Sequence, residues 1–187
     1  MLLPLGQPLL LGSTTALATA AAVLSTQAAH AQSAEGYLDA GIEKGRSGDY
    51  QEAIADYNKA IEIIPQYASA FGNRGSAKLA LKDYQGSIAD FNNVLEIDAK
   101  DALAYFSRGF AKSHLRNYRG AVADFNKAIE IIPQFAPAYS ARGYIRGAKF
   151  GNDIGACQDY KKAALFGYQP RSNWLKSRDG SWCRNMQ

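Results

Sequence analysis

Chemistry in this chain would have to come from very few side chains. Beyond residue 34 it carries one histidine, His114, and two cysteines, Cys157 and Cys183. One imidazole and two distant thiols cannot supply the three or four ligands of an ordinary transition-metal site. His114 follows Ser113 but has no acid three or four residues away to orient its ring, which argues against a hydrolytic triad. No glycine-rich loop follows a strand pattern, so a phosphate cradle is not expected either. The cysteines read differently: in an oxidising compartment such a pair forms a disulfide, whereas in the cytosol it stays as two thiols. A non-enzymatic chain is expected, with no metal, cofactor or small-molecule substrate.

The elements that position these residues form a repeat. Tyr50, Tyr84 and Tyr118, each following an Asp or Asn, recur every 34 residues, a period that means a stacked array. After the first of them, Ala53, Ile54, Tyr57, Ala60, Ile61 and Ile64 form the apolar stripe of one helix. The stripe returns as Ile88, Phe91, Val94 and Leu95, then as Ala121, Val122, Phe125, Ala128, Ile129 and Ile132. Pro65 and Pro133 end two of these helices, since proline lacks the backbone donor and disfavours helix at the residue before it. The second unit has Ala99 there and must stop through Asp98 and the Lys100-Asp101 pair. Upstream lies another helical segment, with Tyr37, Gly41 and Lys44 matched by Phe71, Gly75 and Lys78, then by Tyr105, Gly109 and Lys112. The fold expected is all-α, each unit being a helix, a turn and a second helix.

Counted from Ala34, Ala68 and Ala102, these units resemble the tetratricopeptide repeat family. Its pattern has an aromatic at the fourth position (Tyr37, Phe71, Tyr105) and Gly or Ala at the eighth (Gly41, Gly75, Gly109). It continues with Ala at the twentieth (Ala53, Ala121), an aromatic at the twenty-fourth (Tyr57, Phe91, Phe125), Ala at the twenty-seventh (Ala60, Ala128) and Pro at the thirty-second (Pro65, Pro133). The middle unit departs at Ser87, Val94 and Ala99, and Lys44, Lys78, Lys112 and Arg146 replace the family's eleventh-position tyrosine. A fourth unit starts at Ala136 with Tyr139 and Gly143, its second helix delayed by one residue that belongs in the turn from Lys149 to Asp153. The resemblance implies a right-handed solenoid of antiparallel helix pairs, with an array over 34–169 divided into units 34–67, 68–101, 102–135 and 136–169. The segment 170–187 would cap the open end, its helix running from Arg171 to Arg178 and ended by Gly180.

Residues 1–34 contain no Asp, Glu, Lys or Arg. An apolar stretch from Ala16 to Leu24 and the small-x-small sequence Ala29-His30-Ala31 before Gln32 mark residues 1–31 as a signal peptide cleaved near Ala31. Export to a periplasm, a lumen or the extracellular space follows; an uncleaved leader would instead anchor the chain in a membrane. In such a compartment Cys157 and Cys183 could bridge. Cys157 begins the last repeat helix and the cap returns toward it over a comparable length, roughly 10 to 14 Å per leg. The bridge would contribute about 3 to 4 kcal/mol in the chain-entropy model.

The formal charge of +4 is mild, and Lys and Arg are interleaved with Asp and Glu, so nucleic acid is not the expected partner. Arg74, Arg108 and Arg142 hold the seventh position of units two to four, and Asp56, Asp90, Asp124 and Asp159 the twenty-third. Packing of each second helix on the next unit's first helix predicts the pairs Asp56–Arg74, Asp90–Arg108 and Asp124–Arg142. Ala40 then marks a unit without a preceding aspartate, and Asp159 is left to meet Arg171 or Arg178. The eleventh-position row reads as solvated or Asp-paired.

In the family, residues of the first helices line the concave surface. Carried over, those positions include Leu38, Ile42, Asn73, Ser76 and Leu79 in the first two units. In the last two they include Phe106, Phe110, His114, Ser140 and Tyr144. Some family members grip a peptide's terminal carboxylate with Lys, Asn and Arg; here only Asn73 matches, while Leu38, Ile42, Leu103 and Ser107 occupy the other places. The groove therefore suits a peptide or helix with apolar side chains, anchored on Phe106 and Phe110, unless these two simply pack on a neighbouring helix. The function expected is a protein-interaction scaffold, assisting assembly of exported or membrane proteins. The alternative is a structural component acting by homo-oligomerisation.

Overall fold

The structure, a computed structural model, describes residues 33–177 and 180–184. The leader and Arg178 lie outside the described residues. Among the described residues ten helices follow one another: α1 through 33–47, α2 (Tyr50–Ile63), α3 (Ala68–Ala80), α4 (Tyr84–Ile97), α5 (Ala102–His114), α6 (Tyr118–Ile131), α7 (Ala136–Phe150), α8 (Asp153–Leu165), α9 (Gln169–Lys176) and α10 (Ser181–Arg184). No strand occurs among the described residues.

Turn chemistry explains the hairpins. The chain reverses through a left-handed residue, Gly48, Lys82, Arg116 or Gly151, with φ of 91°, 62°, 61° and 64°. Three of the second helices are then capped by a side-chain oxygen: Asp83, Asn117 and Asn152 accept from the backbone N–H of Gly86, Gly120 and Gly155 at 2.9 to 3.0 Å. Where proline is missing between units two and three, Asp98 accepts from the Lys100 N–H and Asp101 from the Ala104 N–H, both at 2.8 Å, so two carboxylates make the turn. The extra residue of unit four is not in the turn as expected: α7 has fifteen residues against thirteen in α3 and α5, and the turn after it is one residue shorter.

Small residues and aromatics build the packing. A Cβ on Gly143 would lie 2.8 Å from the Tyr160 ring, and one on Gly109 2.9 Å from Phe125, so glycine is what lets the two helices of a unit approach. The core is a chain of clusters along the stack: Tyr57 with Leu38, Ala53 and Ala70, then Phe71 with Phe91 and Val94, then Phe125 with Ala121 and Ile145. Each helix packs on the next, making a solenoid of helical hairpins, and α9 closes it against α8.

The ion pairs differ from those expected. Arg74 meets Asp90 at 2.6 Å, Arg108 meets Asp124 at 2.7 Å and Arg142 meets Asp159 at 2.6 Å, so each pair lies within one unit and not across two. The cause is the glycine contact: Arg74 neighbours Gly75, whose Cβ site is 3.2 Å from the Asp90 Cβ, so the carboxylate of the same hairpin comes within reach first. Across the junction the arginine finds an amide instead, donating to Asn58, Asn92 and Asn126 at 2.6, 2.8 and 2.7 Å. The eleventh-position cations reach the same aspartates: Lys44 to Asp56 at 2.7 Å, Lys78 to Asp90 and Lys112 to Asp124 at 2.8 Å, and Arg146 to Asp159 at 3.0 Å. Asp159 is therefore held by two arginines of the same helix, α7, and makes no ion pair with Arg171. Unit one, with Ala40, supplies Asp56 from Lys44 and Lys59.

Candidate functional site

Helices α5, α7 and α9 enclose a concave pocket of about 480 Å³. Phe106, Phe110 and His114 fall four residues apart on α5 and so point along one face. Phe106 forms the floor, half-buried, with its ring 5.2 Å from Phe135 and 5.7 Å from Phe125. Phe110 and Tyr144 stand at the rim, 43% and 51% exposed. His114 is stacked on Tyr84 at 4.5 Å and meets the edge of Phe110 at 4.8 Å, so its ring extends the aromatic wall. Ser140 is buried and its hydroxyl accepts from Arg171 Nε at 2.8 Å.

The wall is also cationic. Arg116 of the α5–α6 turn, Lys149 near the end of α7 and Arg171 of α9 line it, and no acid does. Lys149 lies over the Tyr118 ring at 5.4 Å, and Arg171 over Tyr160 at 4.0 Å. None of the three makes an ion pair with the described residues, unlike the arginines of the repeat row. Arg116, Lys149 and Arg171 were not among the residues expected at the groove, because two belong to a turn and a cap and the third ends its helix, outside the positions the repeat register addresses.

The other expected groove residues divide. Asn73 and Ser76 line a smaller hollow of about 250 Å³, and their side chains donate within their own helix to the Ser69 and Gly72 carbonyls. Ile42 lines a second hollow with Arg46 and Tyr50, to which Asn73 and Ser76 also contribute. Leu38 is not a groove residue: at 8% exposure it packs into the first core cluster, because the Gly41–Tyr57 approach draws α1 down onto α2. Leu79 is likewise half-buried against Phe71 and Phe91.

Cys157 and Cys183 form a disulfide with Cα atoms 5.4 Å apart, tying α10 to α8. Burial raises the Tyr57 and Tyr160 phenols above their ordinary range, and hydrogen bonding to Asp124 pushes the Arg108 guanidinium further up. Among the described residues no group of three His, Cys, Asp or Glu could hold a metal ion, and no helix is long and apolar enough to cross a membrane.

Stacked helical hairpins with an open inner face define a class of solenoid proteins. Residues 46–82 match the TPR repeat profile, and 68–101 and 102–135 match that of the tetratricopeptide repeat; the chain is a tetratricopeptide repeat protein. An uncharacterized protein of Methanocaldococcus jannaschii is 43% identical over 44 residues, 24% of this chain and 51% of the relative, so the match spans about half the relative's length. MamA of Desulfovibrio magneticus RS-1 superimposes with a TM-score of 0.68 at 20% identity over 73% of this chain and 76% of that one, a likeness of fold. The TPR domain of Arabidopsis OM64 gives 0.62 at 28% identity over 64% and 98%. The first TPR of Spaghetti (RPAP3), solved bound to the HSP90 peptide SRMEEVD, gives 0.62 at 27% over 63% and 94%.

Proposed function

We propose that this chain is a protein-interaction module that holds an apolar-bearing peptide or helix of another protein in the pocket between α5, α7 and α9. The observation that carries the reading is the exposure of Phe110 and Tyr144 above the half-buried Phe106, an anchor socket on the inner face. The peptide bound to the related Spaghetti domain supports the mode of use. The ligand differs, since Leu103 and Ser107 stand where carboxylate-gripping side chains would be and Leu38 is buried. The uncharged leader and the disulfide support a place of action outside the reducing cytosol, where the chain would assist assembly of exported or membrane proteins.

Affinity capture from the exported fraction, with wild type beside Phe106→Ala/Phe110→Ala, tests this. Partners held by the wild type and lost by the variant are expected; an identical set on both would refute it. Self-association is the second reading, favoured by Leu165 and Ile154 of α8 at 73% and 58% exposure. Light scattering that finds a concentration-dependent oligomer abolished by Ile154→Ser/Leu165→Ser would favour it.

A further inference from the structure

The groove reading leaves the occupant's chemistry open, and the pocket wall narrows it. The trough runs along α7 from Ser140 to Lys149, with Arg171 at the Ser140 end and Lys149 and Arg116 at the other. Nine helical steps at 1.5 Å place the two ends about 13 Å apart. The aromatic rings of Phe106, Phe110 and Tyr144 line the same trough. The repeat-row arginines and lysines are neutralised by buried aspartates, whereas these three cations face the trough without an acid on its wall. A single carboxylate cannot reach both ends, and an extended chain advances about 3.3 Å per residue, so about four residues span them.

Resting on the groove reading, we propose that the pocket takes an extended acidic segment of a partner protein, with an aromatic side chain flanked two residues away on either side by a carboxylate. The aromatic enters over Phe106, one carboxylate meets Arg171 and the other meets Lys149 and Arg116. The charges at the two ends set the register of the segment and the socket supplies the anchor.

Peptide selection on the immobilised full-length chain tests this, using a library of amidated nonapeptides with a central phenylalanine and randomised flanks. Acids are expected to be enriched at the second position on both sides. By fluorescence anisotropy, the selected peptide should bind about tenfold more weakly when both acids become amides, and when the protein carries Arg116→Gly/Lys149→Gln. Its affinity should also fall as salt is raised. A melting temperature no lower than the wild type's confirms that this neutralised variant is folded, glycine suiting the left-handed backbone at Arg116, and Phe110→Ala serves as the groove control. Neutral or basic flanks, undiminished binding to the neutralised variant, or equal binding of a peptide bearing only a terminal carboxylate would overturn the acidic-segment proposal and leave the groove reading standing. Selection no stronger on the wild type than on Phe110→Ala would overturn both.

Discussion

Arg108 donates to Asn92 of the preceding unit at 2.8 Å while the same guanidinium holds Asp124 of its own hairpin at 2.7 Å. One side chain thus closes a unit and staples it to the one before. Arg74 and Arg142 repeat the arrangement, which makes the row a structural device at each junction that carries it.

This geometry separates the two pairings by energy. A double-mutant cycle between Arg74 and Asp90 should show clear coupling in urea denaturation, and one between Arg74 and Asp56 should be additive. Asp90→Ala should cost about 3 to 5 kcal/mol, because it strands both Arg74 and Lys78. Asn58→Ala, which removes only the cross-unit bond, should cost about 1.5 to 3 kcal/mol.

Ser87 sits where two other units carry Ala, fully buried with its hydroxyl unpaired. Ser87→Ala should therefore stabilise the chain by about 1 kcal/mol, seen as a higher urea midpoint with an unchanged slope. A loss of stability would show that the hydroxyl has a partner in solution.

Lys82 adopts the left-handed conformation that Gly48 and Gly151 adopt in units one and four. Lys82→Gly should raise stability by about 1 kcal/mol, since an L side chain there is strained. Lys82→Ala, which keeps the Cβ, should not, and thermal melts of the two variants make the comparison.

The disulfide should contribute about 3 to 4 kcal/mol. Cys157→Ser/Cys183→Ser should lower the melting temperature and expose the α9 backbone to hydrogen exchange. Mass spectrometry of the unreduced wild type should find no free thiol from this pair.

Burial raises the Tyr57 and Tyr160 phenols, so the folded chain holds those protons more tightly than the unfolded one. Their contribution to stability is complete below about pH 10, the ordinary phenol value, and is lost as pH rises through the higher folded values. Tyrosinate absorbance should show these two ionising late, and Tyr57→Phe should flatten the alkaline fall in stability.

Much of this was legible in the residues. The 34-residue period, the glycine and aromatic rows and the turn residues specify helix, hairpin and stack, because each is a local rule repeated. The approach of Cys157 to Cys183 could be argued from helix lengths. Phe106, Phe110, His114, Ser140 and Tyr144 could be placed together because the family's concave positions carry onto them. The partner of each arginine could not. A row position says which residues lie near a junction, but whether a guanidinium turns to its own hairpin or to the previous unit depends on distances that the Gly75–Phe91 and Gly109–Phe125 contacts set.

The sequence by itself determined the repeat and its helices, since periodicity and steric size act between near neighbours, and its resemblance to the family indicated the inner face. Only the tertiary structure decided that Leu38 and Leu79 sink into packing and that the aspartates are shared within units. It alone brought Arg116, Lys149 and Arg171 to one trough. These follow from the close approach of separate helices and from a turn and a cap outside the repeat register, where spacing along the chain no longer measures spacing in the molecule.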